Sequence, residues 1–554
     1  MAEEKKQSFL KGAAVLSVAT IVVKLVGLGF SIPLANVLGE QAMNYFGAAY
    51  EMFALFNAAA TAGMPVAVSR MVSSAYASGR KKQADKIFTV AVSCFFVLGL
   101  VCSLLMFIFA GQLAAFLNVP GAKYSIQALA PTVFFCAVMS AVRGYFQGRS
   151  NMVPTAVSQV IEAISKLAIG LSLAFYIHRT FKDGELSSAA AVAGVSASAL
   201  LGVIFSLWCK IRQKGKDKKS SAGDDAGDSL VDSGRSILST LVRFAVPITI
   251  GACFIHVLNI IDMKTVMYCL KNLEGFSADY AESLYGIWLN TVKIYDLPGA
   301  IIIPLSTSVL PVLTAAYTRK NQEDVRRTAA SAMRMTFLIA VPCAVGLAIF
   351  AKPIASVFYR RELSIEGVGM LLPMVAVSVI FNGLLYTTNA VIQAMGNTKR
   401  PVVHMAVGGL VKIVLNYTLV SIPAINIKGV AISTVASNLV VAVLNVMFIY
   451  KLIPKVQRVR SMVLPIVPAA ALMGGGSYLV YFGLTKLLNV LGLVNSITML
   501  LVLVFAIVIA VVVYFASAVW FGAIRTEEMK MIPKGDMIIR KFKLQETGKH
   551  LRQD

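Results

Sequence analysis

Charged side chains interrupt several long apolar segments of this sequence, and they are the residues best placed to do chemistry. Lys24 stands near the middle of the apolar stretch from residue 10 to residue 37. A charge at the centre of a membrane-spanning helix costs about 2.5–3.5 kcal/mol, so such a residue usually faces a wet cavity. Together the charged residues predict a polar cavity inside a membrane protein. The others are Glu51, Glu162, Lys166, Arg243, Asp262, Lys293, Asp296, Arg334 and Lys412.

Two lysines are the leading candidates for binding an anion, because an ammonium group binds phosphate as a point charge. Lys24 lies near mid-segment, which disfavours snorkelling, although a pair with a neighbour such as Glu51 is an alternative. Lys293 and Asp296 are three residues apart and share a helix face. They either neutralise each other or, as we prefer, Asp296 holds Lys293 until an anionic ligand arrives. Arg70, at the cytoplasmic end of the second segment, either attracts an anionic headgroup or serves only topology.

The remaining candidates have structural interpretations. Glu162 and Lys166 are four residues apart in the favourable order, so we expect a structural ion pair. Asp262 lies at the outer end of its segment, where it could sit at the membrane interface. Lys412 corresponds to Lys166 in an internal repeat and need not touch a substrate. We expect His256 to hydrogen bond between helices rather than carry protons.

The composition is that of an integral membrane protein. Of 554 residues, 57% are hydrophobic and 14% are charged, whereas soluble domains carry about 25% charged residues. The seven cysteines lie singly and no CxxC occurs, which predicts neither a disulfide framework nor a zinc site. No Walker A motif and no catalytic constellation are present. We therefore expect a transporter rather than an enzyme, with no cofactor and no metal.

Fourteen segments are apolar enough and long enough to cross a membrane, for which a helix needs ~17–25 residues. Because the eighth carries Pro298, Pro304 and Pro311, we expect it to be kinked or partly unwound. The segments are 10–37, 45–69, 87–110, 124–146, 154–177, 187–209, 238–262, 285–316, 329–351, 367–394, 401–421, 428–450, 461–485 and 491–523.

Positive charge alternates between the loops. With a cytoplasmic N-terminus, the cytoplasmic loops hold 35 of the 51 Lys and Arg residues, and the opposite loops hold ten. This asymmetry predicts a multi-pass protein of the bacterial cytoplasmic membrane with both termini in the cytoplasm. The net charge of +24 is then explained by topology and by contact with anionic headgroups, not by nucleic acid binding. We expect no cleavable signal peptide.

An internal repeat divides the chain. Ile108-Phe109-Ala110 matches Ile349-Phe350-Ala351 at an offset of 241 residues, and Ala75-Tyr76 matches Ala316-Tyr317 at the same offset. Six segments per half predict parallel repeats related by an axis along the membrane normal. The expected fold is all-α, with two pseudo-symmetric six-helix lobes and two additional helices. The predicted divisions are a first lobe 1–210, a flexible cytoplasmic linker 211–236, a second lobe 237–455, two further spans in 456–523 and a cytoplasmic tail 524–554.

Two motifs carry a family resemblance that extends over nearly the whole chain. The more specific motifs are Arg143-Gly144-Tyr145-Phe146-Gln147-Gly148 and Pro154-Thr155-Ala156-Val157-Ser158-Gln159. With them the sequence resembles the lipid-flippase branch of the multidrug/oligosaccharidyl-lipid/polysaccharide exporter (MOP) superfamily, in the MurJ-like group of YtgP and SpoVB.

The resemblance implies a two-lobed MATE/MurJ-like fold with about fourteen transmembrane helices. It also implies flipping of a polyprenyl-pyrophosphate-linked sugar, most often lipid II, from the inner to the outer leaflet. Family members carry a basic residue where this chain has Lys24, and a basic-x-x-acidic-x-proline pattern that Lys293 and Asp296 match. Further arginines of Gram-negative members are replaced here by Phe30 and Asn57. We therefore expect a less cationic cavity, with Asn57 among its binding residues.

The resulting hypothesis is alternating access in peptidoglycan and cell-wall biosynthesis. Lys24 and Lys293 would bind the pyrophosphate, and coupling would be to the membrane potential or to a monovalent cation. Alternatives are another lipid-linked polysaccharide precursor, a cation-coupled multidrug exporter, for which Glu51, Asp262 and Asp296 argue, and a scaffold for cell-wall enzymes. We expect a monomer whose partners are the lipid substrate, the membrane and cell-wall synthesis enzymes, without nucleic acid.

Overall fold

The computed structural model describes residues 2–149, 151–220, 232–273, 275–493 and 495–524, and within these ranges the regular structure is helical with no strand. By its internal contacts the chain divides into two units, Met1–Leu289 and Asn290–Asp554. The helices of the first unit are α1 (Ala2–Thr61), α2 (Met64–Ala77), α3 (Lys81–Ile108), α4 (Ala110–Phe116), α5 (Lys123–Gly148), α6 (Val153–Ser165), α7 (Leu171–Phe181), α8 (Gly184–Ser220), α9 (Gly234–Tyr268) and most of α10 (Ala278–Tyr295).

The second unit begins within the last turns of α10. Its helices are α11 (Gly299–Thr318), α12 (Gln322–Ile349), α13 (Ala351–Phe358), α14 (Glu362–Ala376), α15 (Ser378–Ala394), α16 (Lys399–Leu419), α17 (Lys428–Leu452), α18 (Val459–Val463), α19 (Ile466–Val490) and α20 (Ser496–Trp520).

Twelve of the described helices are long and apolar enough to cross a membrane, or thirteen if the bent pair α14–α15 is one span. The fourteen predicted spans are therefore not confirmed as a count. The first candidate, Val22–Tyr76, runs over two of the predicted segments, and within α1 two helical stretches meet at a kink at Gly39. That residue has φ 79° and ψ −179°, a backbone conformation open essentially only to glycine.

The outer faces of the spans are apolar. On α3, for example, Val97, Val101, Leu104 and Ile108 recur at helical spacing and are all exposed. Soluble monomers rarely expose contiguous apolar patches of this kind. A hydrocarbon environment accounts for them, and the chain is a multi-pass membrane protein.

The predicted break in the eighth segment is present. α10 ends at Tyr295, residues 296–298 form a turn, and α11 begins at Gly299 with Pro298 as its N-cap. Proline lacks the backbone N–H that would continue the helical hydrogen bonds and clashes with the preceding turn. The backbone therefore opens beside Lys293 and Asp296.

The sequence repeat is visible in the backbone. A short helix follows a break at Phe109 in the first unit and at Phe350 in the second, with nearly equal backbone angles (φ −89°, ψ 11° and φ −95°, ψ 18°). Gly79 and Lys320, also 241 residues apart, both have positive φ (74° and 57°). The two halves therefore share local structure as well as sequence.

The first unit is built around α5, which packs against α1, α2, α3 and α8. The same unit includes α9, which packs against α1, α2 and α3. At Gly286 of α10, an added Cβ would collide with the backbone oxygen of Glu40, so only glycine allows this close approach. The predicted lobe boundary near residues 211–236 stays a prediction, since the division by contacts falls elsewhere.

Residues 211–220 of the predicted linker continue α8, and residues 234–236 begin α9. The middle of that linker, 221–231, and the predicted tail beyond residue 524 lie outside the described residues. In the second unit a large apolar core joins α12, α15 and α17 to α19 and α20. Arg334 is buried there and donates from Nη2 to the carbonyl oxygens of Gly522 (3.1 Å) and Ala523 (2.7 Å), so it anchors the end of α20.

Candidate functional site

A cavity of about 330 Å³ lies inside the first unit. Its polar lining comes from α1, α5, α6 and the π-helical turn Lys166–Gly170, with α8 completing the wall through Val195. The charged lining residues are Arg143, Glu162 and Lys166, and the uncharged polar ones are Thr20, Tyr50, Thr132 and Gln159. Because a water molecule takes about 30 Å³ of liquid volume, the space holds roughly ten waters. It is a polar cavity among apolar helices with room for water.

Two residues of α6 bind the guanidinium group of Arg143. Its Nε donates to Ser158 Oγ (3.1 Å), and its Nη2 donates to Glu162 Oε2 (3.1 Å). Ser158 Oγ in turn donates to the carbonyl oxygen of Thr155 (2.8 Å). Ser158 and Glu162 are one helical turn apart, so both present oxygen atoms to the guanidinium group. The two motifs that carry the family resemblance therefore meet at this contact.

The predicted ion pair between Glu162 and Lys166 is not formed among the described residues. Glu162 pairs with Arg143 instead, and the Lys166 ammonium lies 5.1 Å from the ring centroid of Phe30. Lys166 is also the first residue of the π-helical turn, where the regular i,i+4 register of α6 ends. Spacing along one helix could not identify Arg143, which comes from α5, as the competing partner.

Lys24 lies one helical turn from the lining residue Thr20 but is not itself a lining residue of this cavity. It is half-buried, and the next residue, Leu25, is 63% exposed. A side chain added at Gly27, three residues farther along the same face, would meet no atom within 4 Å. Lys24 therefore borders open space. No described residue forms an ion pair with it.

Two predicted acidic residues lie near one tyrosine in the first unit. The negative charges of Asp262 on α9 and Glu51 on α1 both act on the phenol of Tyr285 in α10. Asp262 is buried and Glu51 is half-buried, so Asp262 is not simply a surface residue at the end of a span. Half-buried Asn57 leaves its buried Oδ1 without a hydrogen-bond partner among the described residues.

Arg70 and His256 lie apart from the cavity. Arg70 is exposed, and its guanidinium group lies 4.6 Å from the ring centroid of Phe244 on α9, a cation–π contact. His256 is half-buried, and its Nδ1 has no hydrogen-bond partner within the described part of the chain. The expected interhelical hydrogen bond is thus not made through that nitrogen.

The other predicted lysines belong to the second unit. The Nζ atom of Lys293 is buried, while Asp296, in the turn after α10, is exposed. Lys412 is half-buried within the continuous helix α16. Its repeat counterpart, Lys166, instead opens a π-helical turn, so the two matching lysines have different backbone settings.

Sequence reasoning missed a second polar cluster in the first unit, the Glu282 hub, formed by Gln41, Tyr45, Lys271 and Glu282. Glu282 is buried, and its Oε1 lies 2.8 Å from Lys271 Nζ. Its Oε2 accepts from Tyr45 OH (2.9 Å) and from Gln41 Nε2 (3.2 Å). Lys271 and Glu282 lie outside the predicted spans or at their margins, so the search for charges within spans passed over them. Arg143 was placed in a motif but was not predicted as a site residue.

Comparison with known proteins defines the family. The model of the family described as "Polysaccharide biosynthesis protein" matches residues 9–317, more than half of the chain. The chain belongs to this polysaccharide biosynthesis family. The MatE family model matches residues 290–418, within the second unit. The resemblance to MurJ-like members of the MOP superfamily is thereby confirmed.

Individual relatives can be aligned with most of this chain. It is 26% identical over 544 residues to stage V sporulation protein B of Bacillus subtilis, covering 97% of this chain and all of that protein. It is 26% identical over 431 residues to the lipid II flippase MurJ of the same organism, covering 74% and 77%. A solved structure of lipid II flippase MurJ in an inward closed conformation superposes with a TM-score of 0.67 at 16% identity, covering 92% of this chain and 98% of that one. That similarity establishes the fold.

Proposed function

We propose that this membrane protein is a flippase that moves a polyprenyl-pyrophosphate-linked sugar from the inner to the outer leaflet, with lipid II as its substrate. The observation that carries the proposal is Lys24, a lysine within a spanning helix that borders open space and has no described ion-pair partner. Such a cation suits the charged head of a lipid whose tail stays in hydrocarbon. The relatives named as a lipid II flippase support this substrate.

Lys293 is the second proposed contact of the pyrophosphate. The helix break at residues 296–298 lets the backbone adjust beside it, and Asp296, being exposed, is placed to exchange with an incoming anion. Asn57 and Arg70 are proposed as polar and electrostatic contacts on the same substrate path. Glu51 and His256 are proposed to line it.

The proposed energy source is the membrane potential or a monovalent cation. Moving one charge through 100 mV is worth about 2.3 kcal/mol. With the inside negative, the potential favours outward movement of an anion and inward return of an empty cationic site. The protein would then act in the bacterial cytoplasmic membrane as a monomer with both termini inside, supplying precursor to cell-wall enzymes.

The test is transfer of fluorescent lipid II across proteoliposome membranes, with accessibility to an external reagent as the readout. Lys24→Ala and Lys293→Ala should abolish transfer, while Lys24→Arg should retain part of it because the charge remains. Lys486→Ala is the matched control, since Lys486 is exposed near the end of α19. Full transfer by both alanine variants would refute binding of the headgroup by these lysines.

Substrate identity needs competition. Unlabelled lipid II should block transfer of the fluorescent lipid, whereas a teichoic-acid or capsule precursor on the same polyprenyl carrier should not. If the other precursor blocks transfer and unlabelled lipid II does not, the substrate is that other lipid-linked polysaccharide precursor.

A cation-coupled multidrug exporter is the second candidate. Glu51 and Asp262 act together on Tyr285, and the MatE model matches residues 290–418. This candidate predicts export of organic cations that is lost in Glu51→Gln and Asp262→Asn and is unaffected by lipid II. Retained export in both variants would dismiss it.

A further inference from the structure

The cavity of the first unit has an unbalanced charge. Arg143 and Lys166 each contribute one positive charge, and Glu162 contributes one negative charge. Glu162 is the only acidic residue among the described residues that line the cavity, and it is engaged by Arg143 at 3.1 Å. Whether the Glu162 carboxylate compensates Arg143 or Lys166, the lining carries a net charge of +1.

The excess charge resides on Lys166. Within the described residues its ammonium makes a contact with the Phe30 ring but no ion pair and no hydrogen bond. A cation–π contact at a ring face supplies only part of what an ammonium loses on leaving water. The charge of Glu162 also acts on Lys166, but that carboxylate is already bound by Arg143, which leaves room for a further anion beside the lysine.

The surroundings of Lys166 offer further hydrogen-bond donors. Tyr50 and Gln159 line the same cavity, and a phenol and a carboxamide each carry N–H or O–H groups that can point at an anion. Ser158 and Glu162 hold Arg143 in place, so its position does not depend on a ligand. The cavity is also large enough to admit a hydrated ion.

The charge of the lining selects the ligand. One monovalent anion brings the cavity to neutrality, whereas a pyrophosphate with two or more negative charges would leave a net negative charge among the helices. We propose that the cavity binds one monovalent inorganic anion of the chloride class at Lys166, with Tyr50 and Gln159 as additional donors. The proposal uses neither Lys24 nor Lys293, and it does not depend on the flippase proposal.

The test is thermal unfolding of the purified full-length protein in detergent, without any lipid substrate, at constant ionic strength. Sodium chloride and choline chloride should both raise Tm by a few degrees over sodium gluconate, in a saturable manner, since a ligand that binds only the folded state stabilises it by mass action. Lys166→Met should abolish this dependence on chloride. In gluconate its Tm should equal or exceed that of the wild type, because an uncompensated charge has been removed. Lys486→Met, the matched surface control, should behave as the wild type does.

A second variant tests the proposal if Lys166→Met does not fold. Tyr50→Phe keeps the ring and removes one donor, so the chloride concentration for half-maximal stabilisation should rise by about fivefold to tenfold. Calorimetric titration of wild-type protein with sodium bromide should give one site per chain.

Three results would overturn the proposal. They are equal Tm values in chloride and gluconate, a chloride dependence that survives in Lys166→Met, or a stronger stabilisation by inorganic pyrophosphate that Lys166→Met removes. The last result would reassign the cavity to a phosphate headgroup. Because no lipid is present, failure here leaves lipid transfer untouched, and failure of lipid transfer leaves this measurement valid.

Discussion

Replacing Glu282 by glutamine should destabilise the first unit strongly, although the change is nearly isosteric. The Glu282 side chain is 5% exposed and its partner Lys271 is 15% exposed, with 2.8 Å between Oε1 and Nζ. Glutamine keeps the shape and can still accept from Tyr45 or Gln41. It removes the negative charge, and the Lys271 ammonium then stays largely buried without its ion-pair partner.

The size of the stability loss depends on the interactions that Lys271 keeps in the glutamine variant. Removing one partner of a buried ion pair costs about 3–5 kcal/mol, because the other charge is left uncompensated. Lys271 also donates to the carbonyl oxygen of Asn118 at 2.7 Å and has some access to solvent. Both reduce the loss, so we expect a decrease of about 2–4 kcal/mol in the free energy of unfolding.

A double-mutant cycle isolates the pair. Glu282→Gln, Lys271→Met and the double variant are unfolded in detergent, and the double variant should lose at least about 1.5 kcal/mol less than the sum of the single changes. The matched control is Lys352 with Glu366, which are 2.7 Å apart but 63% and 59% exposed. Such surface pairs are worth about 0–1 kcal/mol. Equal coupling energies in the two pairs would refute the argument that burial gives the Glu282 hub its strength.

Three further outcomes are expected. Lys24→Ala should abolish lipid II transfer without changing Tm, because its helix face borders open space, and a Tm loss that accompanies the activity loss would contradict this. Arg334→Met should lower the free energy of unfolding by about 2–4 kcal/mol by releasing the end of α20, whereas exposed Arg319→Met should change it little; similar effects would refute the anchoring role. Gly39→Ala should cost about 1–3 kcal/mol at its glycine-only backbone angles, measured by thermal unfolding. Gly27→Ala, a helical position with open space around it, should be neutral or stabilising, and equal losses at the two glycines would argue against backbone strain.

Features set by local chemistry were predictable from the sequence. The prolines of the eighth segment predicted a break, and the helix does end before Pro298. The 241-residue offset predicted matching halves, and Phe109 and Phe350 interrupt their helices in the same way. Each depends on residues close together in sequence, or on a repeat that can be read directly.

Features set by packing were not predictable. The spacing of Glu162 and Lys166 favours a pair on one helix, but Arg143 on α5 binds Glu162 instead. The choice between these partners depends on how α5 and α6 approach each other and on the π-helical turn at Lys166. Partner choice is a tertiary property.

Lys24 and Lys166 look alike in the sequence, as single lysines within apolar segments, yet their surroundings assign them different tasks. The face of α1 that carries half-buried Lys24 borders open space, where a large headgroup can approach. Lys166 lines a cavity of about 330 Å³, which is ample for a hydrated ion. An anion beside this lysine would compensate its charge among the helices around it. Neutralising Lys24 should therefore affect transport and spare stability, whereas neutralising Lys166 should change how stability depends on salt, and the two measurements together separate a substrate contact from a resident ion site.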